Sequence, residues 1–94
     1  MATLRIEHAI NDLQTWLTAF GRFADARERG GVRSFRIFQP ASDDQYILVD
    51  LDFNSAAEAE KFKQFLEANV WSTPANSPGL AGAPQAQVLV SVAV

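Results

Sequence analysis

The sequence predicts an α+β fold, a four-stranded antiparallel sheet covered by helices in the ferredoxin-like order β-α-β-β-α-β. Two observations lead to it: four segments alternate between apolar and polar residues, and two amphipathic helical patterns lie between them. With 94 residues, 48% of them hydrophobic, the chain is long enough for one compact core and too short for two. We therefore expect a single domain over residues 1–94.

The first half predicts a strand, a helix and a hairpin. Residues 4–10 alternate in polarity, and Asn11 or Asp12 can cap the helix that follows. That helix is expected to run to Gly30, and residues 32–39 and 45–53 form two strands joined by a turn at residues 40–44. The apolar stripe of this first helix contains Leu13, Trp16, Leu17, Phe20, Phe23 and Ala24.

The second half predicts a helix, a long loop and a last strand. Ser55 and Glu58 have the spacing of a capping box, in which each side chain satisfies a free backbone amide. Residues 71–84 contain three prolines and two glycines, so we expect a loop that could act as a lid or as a partner-contacting arm. Residues 87–94 should form the last strand. The apolar stripe of the helix contains Ala59, Phe62, Phe65, Leu66 and Val70.

Right-handed crossovers place both helices on one face of such a sheet and leave the other face open. The set predicted to face the helices is Ile6, Ile10, Phe35, Ile37, Ile47, Val49, Leu51, Val88, Val90 and Val92. The set predicted for the open face is Arg5, Glu7, Ser34, Arg36, Phe38, Tyr46, Leu48, Asp50, Asp52, Leu89 and Ser91. Because this second set mixes apolar and charged residues, we expect it to form a cavity or to pack against a second copy of the chain.

Composition excludes several classes of function. A net charge of −3 argues against nucleic acid as a partner, since such binding needs a basic surface. The chain has no cysteine and one histidine, so we expect no metal site, and no nucleotide-binding or nucleophile motif indicates a cofactor. No segment resembles a signal peptide or a membrane span, which favours a cytoplasmic protein.

His8 is the candidate catalytic residue. It is the only side chain whose ordinary pKa suits acid or base chemistry near neutral pH, and it lies near the end of the first strand. The alternative is a hydrogen-bonded histidine at the margin of the core, since His8 is in phase with Leu4, Ile6 and Ile10.

The candidate ligand-binding residues are Arg36, Tyr46, Asp50, Asp52 and Trp71. Asp50 and Asp52 share a strand face at a separation of roughly 7 Å, and paired carboxylates can divide acid and base roles. The alternative is that they form ion pairs with Arg5 or Arg36. Arg36 could also hold a substrate carboxylate. Tyr46 and Trp71 could line a pocket mouth or an interface.

The element order and the stretch from His8 through Asp12 to Trp16 resemble the dimeric α/β barrel proteins, a group that includes antibiotic-biosynthesis monooxygenase-like domains and many small bacterial proteins. The resemblance implies that two sheets pack face to face in a homodimer and that each protomer encloses a small pocket. Members of the group include cofactor-free oxygenases, heme-degrading enzymes, isomerases and proteins of no assigned activity, so the fold does not select a reaction.

Two functional hypotheses follow. The first is a homodimer that binds a small aromatic or polycyclic molecule without a cofactor, as an oxygenase or isomerase with His8 as base. The second is a non-enzymatic dimer whose open sheet face is only an interface. Under the second hypothesis, replacing His8 with glutamine changes stability but not ligand binding.

Overall fold

The computed structural model describes residues 1–93 and contains one antiparallel sheet in the order β2-β3-β1-β4. The predicted ferredoxin-like order is confirmed, although the first predicted helix is divided in two. The strands are β1 (Ala2–Ile10), β2 (Ser34–Phe38), β3 (Tyr46–Phe53) and β4 (Leu80–Val90). The helices are α1 (Leu13–Arg22), α2 (Ala24–Arg29) and α3 (Ala56–Phe65), and α3 continues into a π-helical turn at Leu66–Val70.

Both predicted helix starts are capped by a side chain. The carboxylate of Asp12 accepts a hydrogen bond of 2.9 Å from the Thr15 amide, and it lies 2.8 Å from the Thr15 hydroxyl. The Ser55 hydroxyl accepts a bond of 3.3 Å from the amide of Glu58. Because each bond satisfies an amide that has no partner within its helix, both starts are fixed locally.

The chain from Leu13 to Gly30 was predicted as one helix, and this is wrong at Phe23. There the amide of Phe23 donates to the Phe20 carbonyl, three residues back, at 3.3 Å. The guanidinium of Arg27 donates to the same carbonyl. A side chain thus takes the acceptor that the next helical turn would use, which explains why α1 ends and α2 begins here.

The last strand begins seven residues earlier than predicted and ends at Val90. Gly82, Ala83 and Pro84 form a bulge, because Ala81 pairs with Ala9 while Gln85 pairs with Glu7. Proline is tolerated at a bulge, where no ladder hydrogen bond is required of it.

The two sheet faces differ as predicted, with three exceptions on the apolar side. Leu4, Ile47, Leu51 and Phe53 are at most 2% exposed and form the centre of the core against the helices. Phe35, Val90 and Val92 were expected under the helices but are 47%, 62% and 83% exposed. Phe35 and Val90 lie on the edge strands β2 and β4, and Val92 follows the end of β4. Val94, also predicted in this strand, lies outside the described residues.

Within residues 1–93, no helix is long and apolar enough to cross a membrane.

Candidate functional site

A cavity of about 90 Å³ lies between the helix-covered face of the sheet and the helices. Its walls are mostly apolar, and it is partly open to solvent. From the sheet it is lined by Ile6, His8, Val49 and Leu51, and from the helices by Trp16, Ala19, Phe20, Phe23, Arg27, Phe62, Phe65, Leu66 and Val70. From the segment before and at the start of β4 it is lined by Trp71, Asn76, Ser77, Pro78 and Leu80.

His8 lines this cavity and has one ring nitrogen without a hydrogen-bond partner among residues 1–93. Its Nδ1 lies 2.8 Å from the carbonyl oxygen of Ala9, and since a carbonyl only accepts, the geometry assigns the proton of the neutral ring to Nδ1. Among residues 1–93 every fully sealed side-chain nitrogen or oxygen has a hydrogen-bond partner. Nε2 has none and therefore keeps accessible surface, with a lone pair available to a ligand.

Burial keeps His8 neutral. The residue is only 4% exposed, and desolvation lowers the pKa of its imidazole below the ordinary value, although the bond to Ala9 opposes this. The unprotonated ring is the form that can accept a proton, so His8 has the protonation state of a base at neutral pH.

The bulge in β4 lies directly beside His8. On its other side His8 pairs with Ile47 of β3, but in β4 it faces the three bulged residues, between the pairs of Glu7 and Ala9. Bulges end regular pairing locally and are frequent next to functional sites. The sheet is therefore irregular at the one position where the cavity contains a titratable ring.

Aromatic rings continue from His8 along the cavity wall. The His8 and Trp16 ring centroids are 6.2 Å apart, and the Trp16 and Phe20 rings stack at 5.1 Å. Behind this wall, Phe20 meets Phe35, which does not line the cavity, edge to face at 5.1 Å. Trp71, a predicted ligand-binding residue, also lines the cavity. Such a wall suits an aromatic ligand, because flat rings gain from stacked and edge contacts.

Arg27 is the second charged or titratable group in the cavity lining, and sequence reasoning missed it. Its guanidinium carbon lies 3.7 Å from the Phe20 ring centroid and 5.3 Å from that of Phe35. The signal was present: Arg27 is seven residues after Phe20 and four after Phe23, so it continues the apolar stripe. An arginine in that phase must be buried or lie at the margin of the core.

The other four predicted ligand-binding residues lie on the opposite face of the sheet. Arg5 binds Asp50 through two hydrogen bonds of 2.8 Å, and Arg36 approaches Asp50 to 3.8 Å. Asp50 and Asp52 are 4% and 7% exposed although they lie on the open face. The structure thus has the ion pairs that the alternative interpretation of these aspartates anticipated.

Asp52 collects the most partners on this face. It accepts hydrogen bonds from Arg36 at 2.6 Å and 3.1 Å, from Ser34 at 2.7 Å and from Thr3 at 2.8 Å. These bonds, led by that of Arg36, hold the pKa of the Asp52 carboxyl well below its usual range. The pKa of Asp50 is lowered mainly by Arg5. Both carboxylates are therefore charged at neutral pH, with their cations in contact.

Tyr46 is bound on the same face. Its hydroxyl donates to Glu7 at 2.7 Å, and this bond raises the pKa of the phenol. The predicted site residues thus form two separate groups: His8 and Trp71 line the cavity under the helices, while Arg36, Tyr46, Asp50 and Asp52 lie on the other face. One protomer cannot bring the two groups to a single ligand, because the sheet lies between them.

No cluster of three potential metal ligands occurs among the described residues.

Solved structures with nearly complete overlap share this architecture. An antibiotic biosynthesis monooxygenase superposes with a TM-score of 0.68 at 8% identity, covering 99% of this chain and all of that one. A putative antibiotic biosynthesis monooxygenase from Nitrosomonas europaea gives 0.68 at 16% identity over the same shares. A dimeric ferredoxin-like protein from an uncultured marine organism gives 0.62 at 13% identity, covering 98% of this chain and 96% of that one.

This chain has their fold. The likeness is structural, since no family model matches the sequence and no curated protein matches it significantly. At such identities the shared ferredoxin-like fold indicates architecture, and the activity has to be argued from the cavity itself.

Proposed function

We propose that this chain binds a small aromatic molecule in the cavity under the helices and that His8 removes a proton from it. The observation that carries the proposal is a neutral, buried histidine that lines an apolar, aromatic-walled cavity and whose Nε2 has no hydrogen-bond partner among residues 1–93. Apolar walls with few polar groups are typical of small-molecule sites. The similarity to antibiotic biosynthesis monooxygenases supports the same choice.

The volume favours a ligand with one ring over a polycyclic one. An apolar cavity of ~150 Å³ accepts a single benzene, whereas this one measures about 90 Å³. A polycyclic molecule would have to displace the segment that leads into β4. A single ring needs a smaller adjustment at the partly open mouth.

Proton removal is the step that cofactor-free oxygenases and isomerases can share. His8 takes the proton from an acidic C–H of the ligand and leaves a carbanion conjugated with the ring. In an isomerisation the imidazolium returns that proton to another carbon. In an oxygenation molecular oxygen is the second substrate: a CH₂ group becomes C=O, and the other oxygen atom leaves as water with the two hydrogens.

Binding is tested by titrating the untagged protein with benzamide and measuring the affinity by calorimetry or NMR. The variant Ala19→Leu fills the cavity from α1, and its control Ala57→Leu makes the same change at an exposed position of α3. We expect Ala19→Leu to weaken binding about tenfold or more, since the ligand and the new side chain compete for one space. Equal binding by Ala19→Leu, or a wild type that binds neither benzamide nor its acid analogue benzoate, would contradict the proposal.

The role of His8 as a base is tested by measuring how fast the benzylic protons of phenylacetone exchange with deuterium in D₂O. We expect the wild type to accelerate exchange and His8→Gln to lose the acceleration while still binding benzamide. Binding without any acceleration would refute the base and favour the non-enzymatic alternative.

We also propose that the open face of the sheet joins two copies of this chain. Four of its charges are paired, because Arg5 and Arg36 contact Asp50 and Asp52, and the carboxylate of Glu7 accepts a hydrogen bond from Tyr46. Phe38 is 48% exposed beside the half-buried Leu48. Removing water from a face of paired charges and exposed apolar side chains costs less free energy than removing it from a face of unpaired charges. The dimeric ferredoxin-like protein of the same fold supports this arrangement.

A further inference from the structure

Arg27 is a buried cation whose charge has no acidic partner. It is 9% exposed, whereas each ion pair found among residues 1–93 belongs to Arg5 or Arg36 on the other face of the sheet. Burying an unpaired charge is costly, and desolvation lowers the pKa of Arg27 accordingly. The Phe20 ring offsets part of that cost through its negative face.

Most of the hydrogen-bonding capacity of Arg27 is also unused. A guanidinium carries five N–H donors in a planar fork, and here one nitrogen donates to the Phe20 carbonyl. Because no fully sealed side-chain nitrogen among residues 1–93 lacks a partner, the remaining guanidinium nitrogens keep accessible surface. Arg27 also lines the cavity, so a bound molecule that reaches the guanidinium meets donors that no protein group found among residues 1–93 occupies.

We infer that Arg27 makes the cavity selective for an aromatic carboxylate, a conclusion that rests on the ligand site proposed above. A carboxylate accepts two parallel hydrogen bonds from a guanidinium and supplies the missing negative charge. The ring of the ligand then lies against Phe20 and Trp16, on the wall that leads to His8. Arg27 binds and orients the acid group, while His8 acts on the other part of the ligand.

Benzoate and benzamide test this inference, because they have nearly the same shape and differ in charge at pH 7.5. We expect wild-type protein to bind benzoate about tenfold or more tightly than benzamide, the effect of a charge-assisted pair in an apolar site. In Arg27→Met this preference should disappear while benzamide binding stays within about threefold. The control Arg22→Met changes an exposed arginine outside the cavity lining and should keep the preference.

Arg27 could affect binding by contacting the ligand or only by supporting the break between α1 and α2. A second variant and an NMR signal separate these two roles. Arg27→Lys retains the charge and should retain part of the preference for benzoate. In the wild type, the Arg27 Nε resonance should shift with benzoate and much less with benzamide. These two results keep the test decisive if Arg27→Met fails to fold.

The outcomes distinguish the two proposals. Equal affinity for both compounds in the wild type, or a preference that survives in Arg27→Met, overturns the role of Arg27 and leaves the cavity as a binding site. Binding of neither compound overturns the ligand site and the role of Arg27 with it.

Discussion

Asp52 shows how one residue stabilises the open face of the sheet. Its side chain is only 10% exposed. It accepts hydrogen bonds from Thr3 on β1 and from Ser34 and Arg36 on β2. The network therefore connects β1, β2 and β3 through one carboxylate.

Replacing Asp52 with asparagine should destabilise the protein. The amide keeps the volume but loses the charge and turns an NH₂ group toward donors, so we expect a loss of about 1–3 kcal/mol in the free energy of unfolding at pH 7. Urea unfolding measures it. The matched control Asp44→Asn lies in an exposed turn and should change stability by less than about 0.5 kcal/mol.

The same variant should alter the pH dependence of stability. The folded-state pKa of Asp52 is lowered by its partners, so the unfolded chain binds more protons as pH falls. The stabilisation is therefore complete above the unfolded pKa of about 3.9 and is lost as pH falls through the lower folded pKa. We expect the difference between wild type and Asp52→Asn to shrink below about pH 4. A difference that stays constant down to pH 2 would argue against this assignment.

At the residue scale, the sequence predicts the role of a residue whose bonding partners are its neighbours in the chain. It does not predict the role of a residue whose partner lies on another strand or helix. The caps at Asp12 and Ser55 follow from position alone. The shared face of Asp50 and Asp52 follows from alternation, but whether they contact a ligand or arginines depends on the register of β1 and β2. Arg27 was missed because a charged residue in an apolar stripe is usually assigned to solvent.

Gly79 shows how the segment before β4 is constrained. Its φ is +85°, a Cβ added there would lie 3.1 Å from the Trp16 backbone nitrogen, and its carbonyl accepts a bond of 2.8 Å from the Asn11 amide. The start of β4 is thus held against the start of α1, beside the cavity.

Alanine at Gly79 should therefore cost more than alanine at Gly82. Both residues have positive φ, which costs about 1 kcal/mol for a side chain, but a Cβ at Gly82 meets nothing within 4 Å. We expect Gly79→Ala to lower the free energy of unfolding by about 1 kcal/mol more than Gly82→Ala. The added Cβ at position 79 would press on the backbone of α1, which cannot easily move aside. Equal losses in parallel denaturation curves would show that the contact with α1 is loose.

At the element scale, periodicity predicts the type of each element better than its ends. Because of Pro78, Gly79, Gly82 and Pro84, the sequence predicts a loop as far as residue 84, yet pairing with β1 extends the strand back to Leu80 by means of a bulge. The break at Phe23 is invisible in the apolar stripe, because its cause is a side chain from the next turn.

The assembly proposed for the whole molecule makes a direct prediction. We expect sedimentation equilibrium at tens of micromolar to give twice the chain mass of 10.3 kDa. Leu48→Lys places a charge on the open face beside Phe38 and should weaken association, whereas Val92→Lys, beyond the end of β4 and 83% exposed, should not. A wild type that sediments as a monomer would rule out this interface under those conditions.

At the scale of the molecule, the sequence predicts the order of strands and helices along the chain and the contrast between the two sheet faces, since both follow from alternation and crossover handedness. The same alternation already puts His8 in phase with the apolar face and the candidates Arg36, Asp50 and Asp52 on the open one. His8 and Asp50 lie on opposite sides because of their phase, but only the structure places a cavity on one side and an ion-pair network on the other.

The central claim is that Nε2 of His8 faces a ligand cavity, and nitrogen NMR of the untagged protein tests it most directly because the chain has one histidine. We expect the Nδ1-protonated tautomer, an imidazole pKa below the ordinary 6.5, and a shift of the Nε2 resonance on saturation with benzoate or benzamide. A ring protonated on Nε2, or one whose resonances do not move with either compound, would contradict the account.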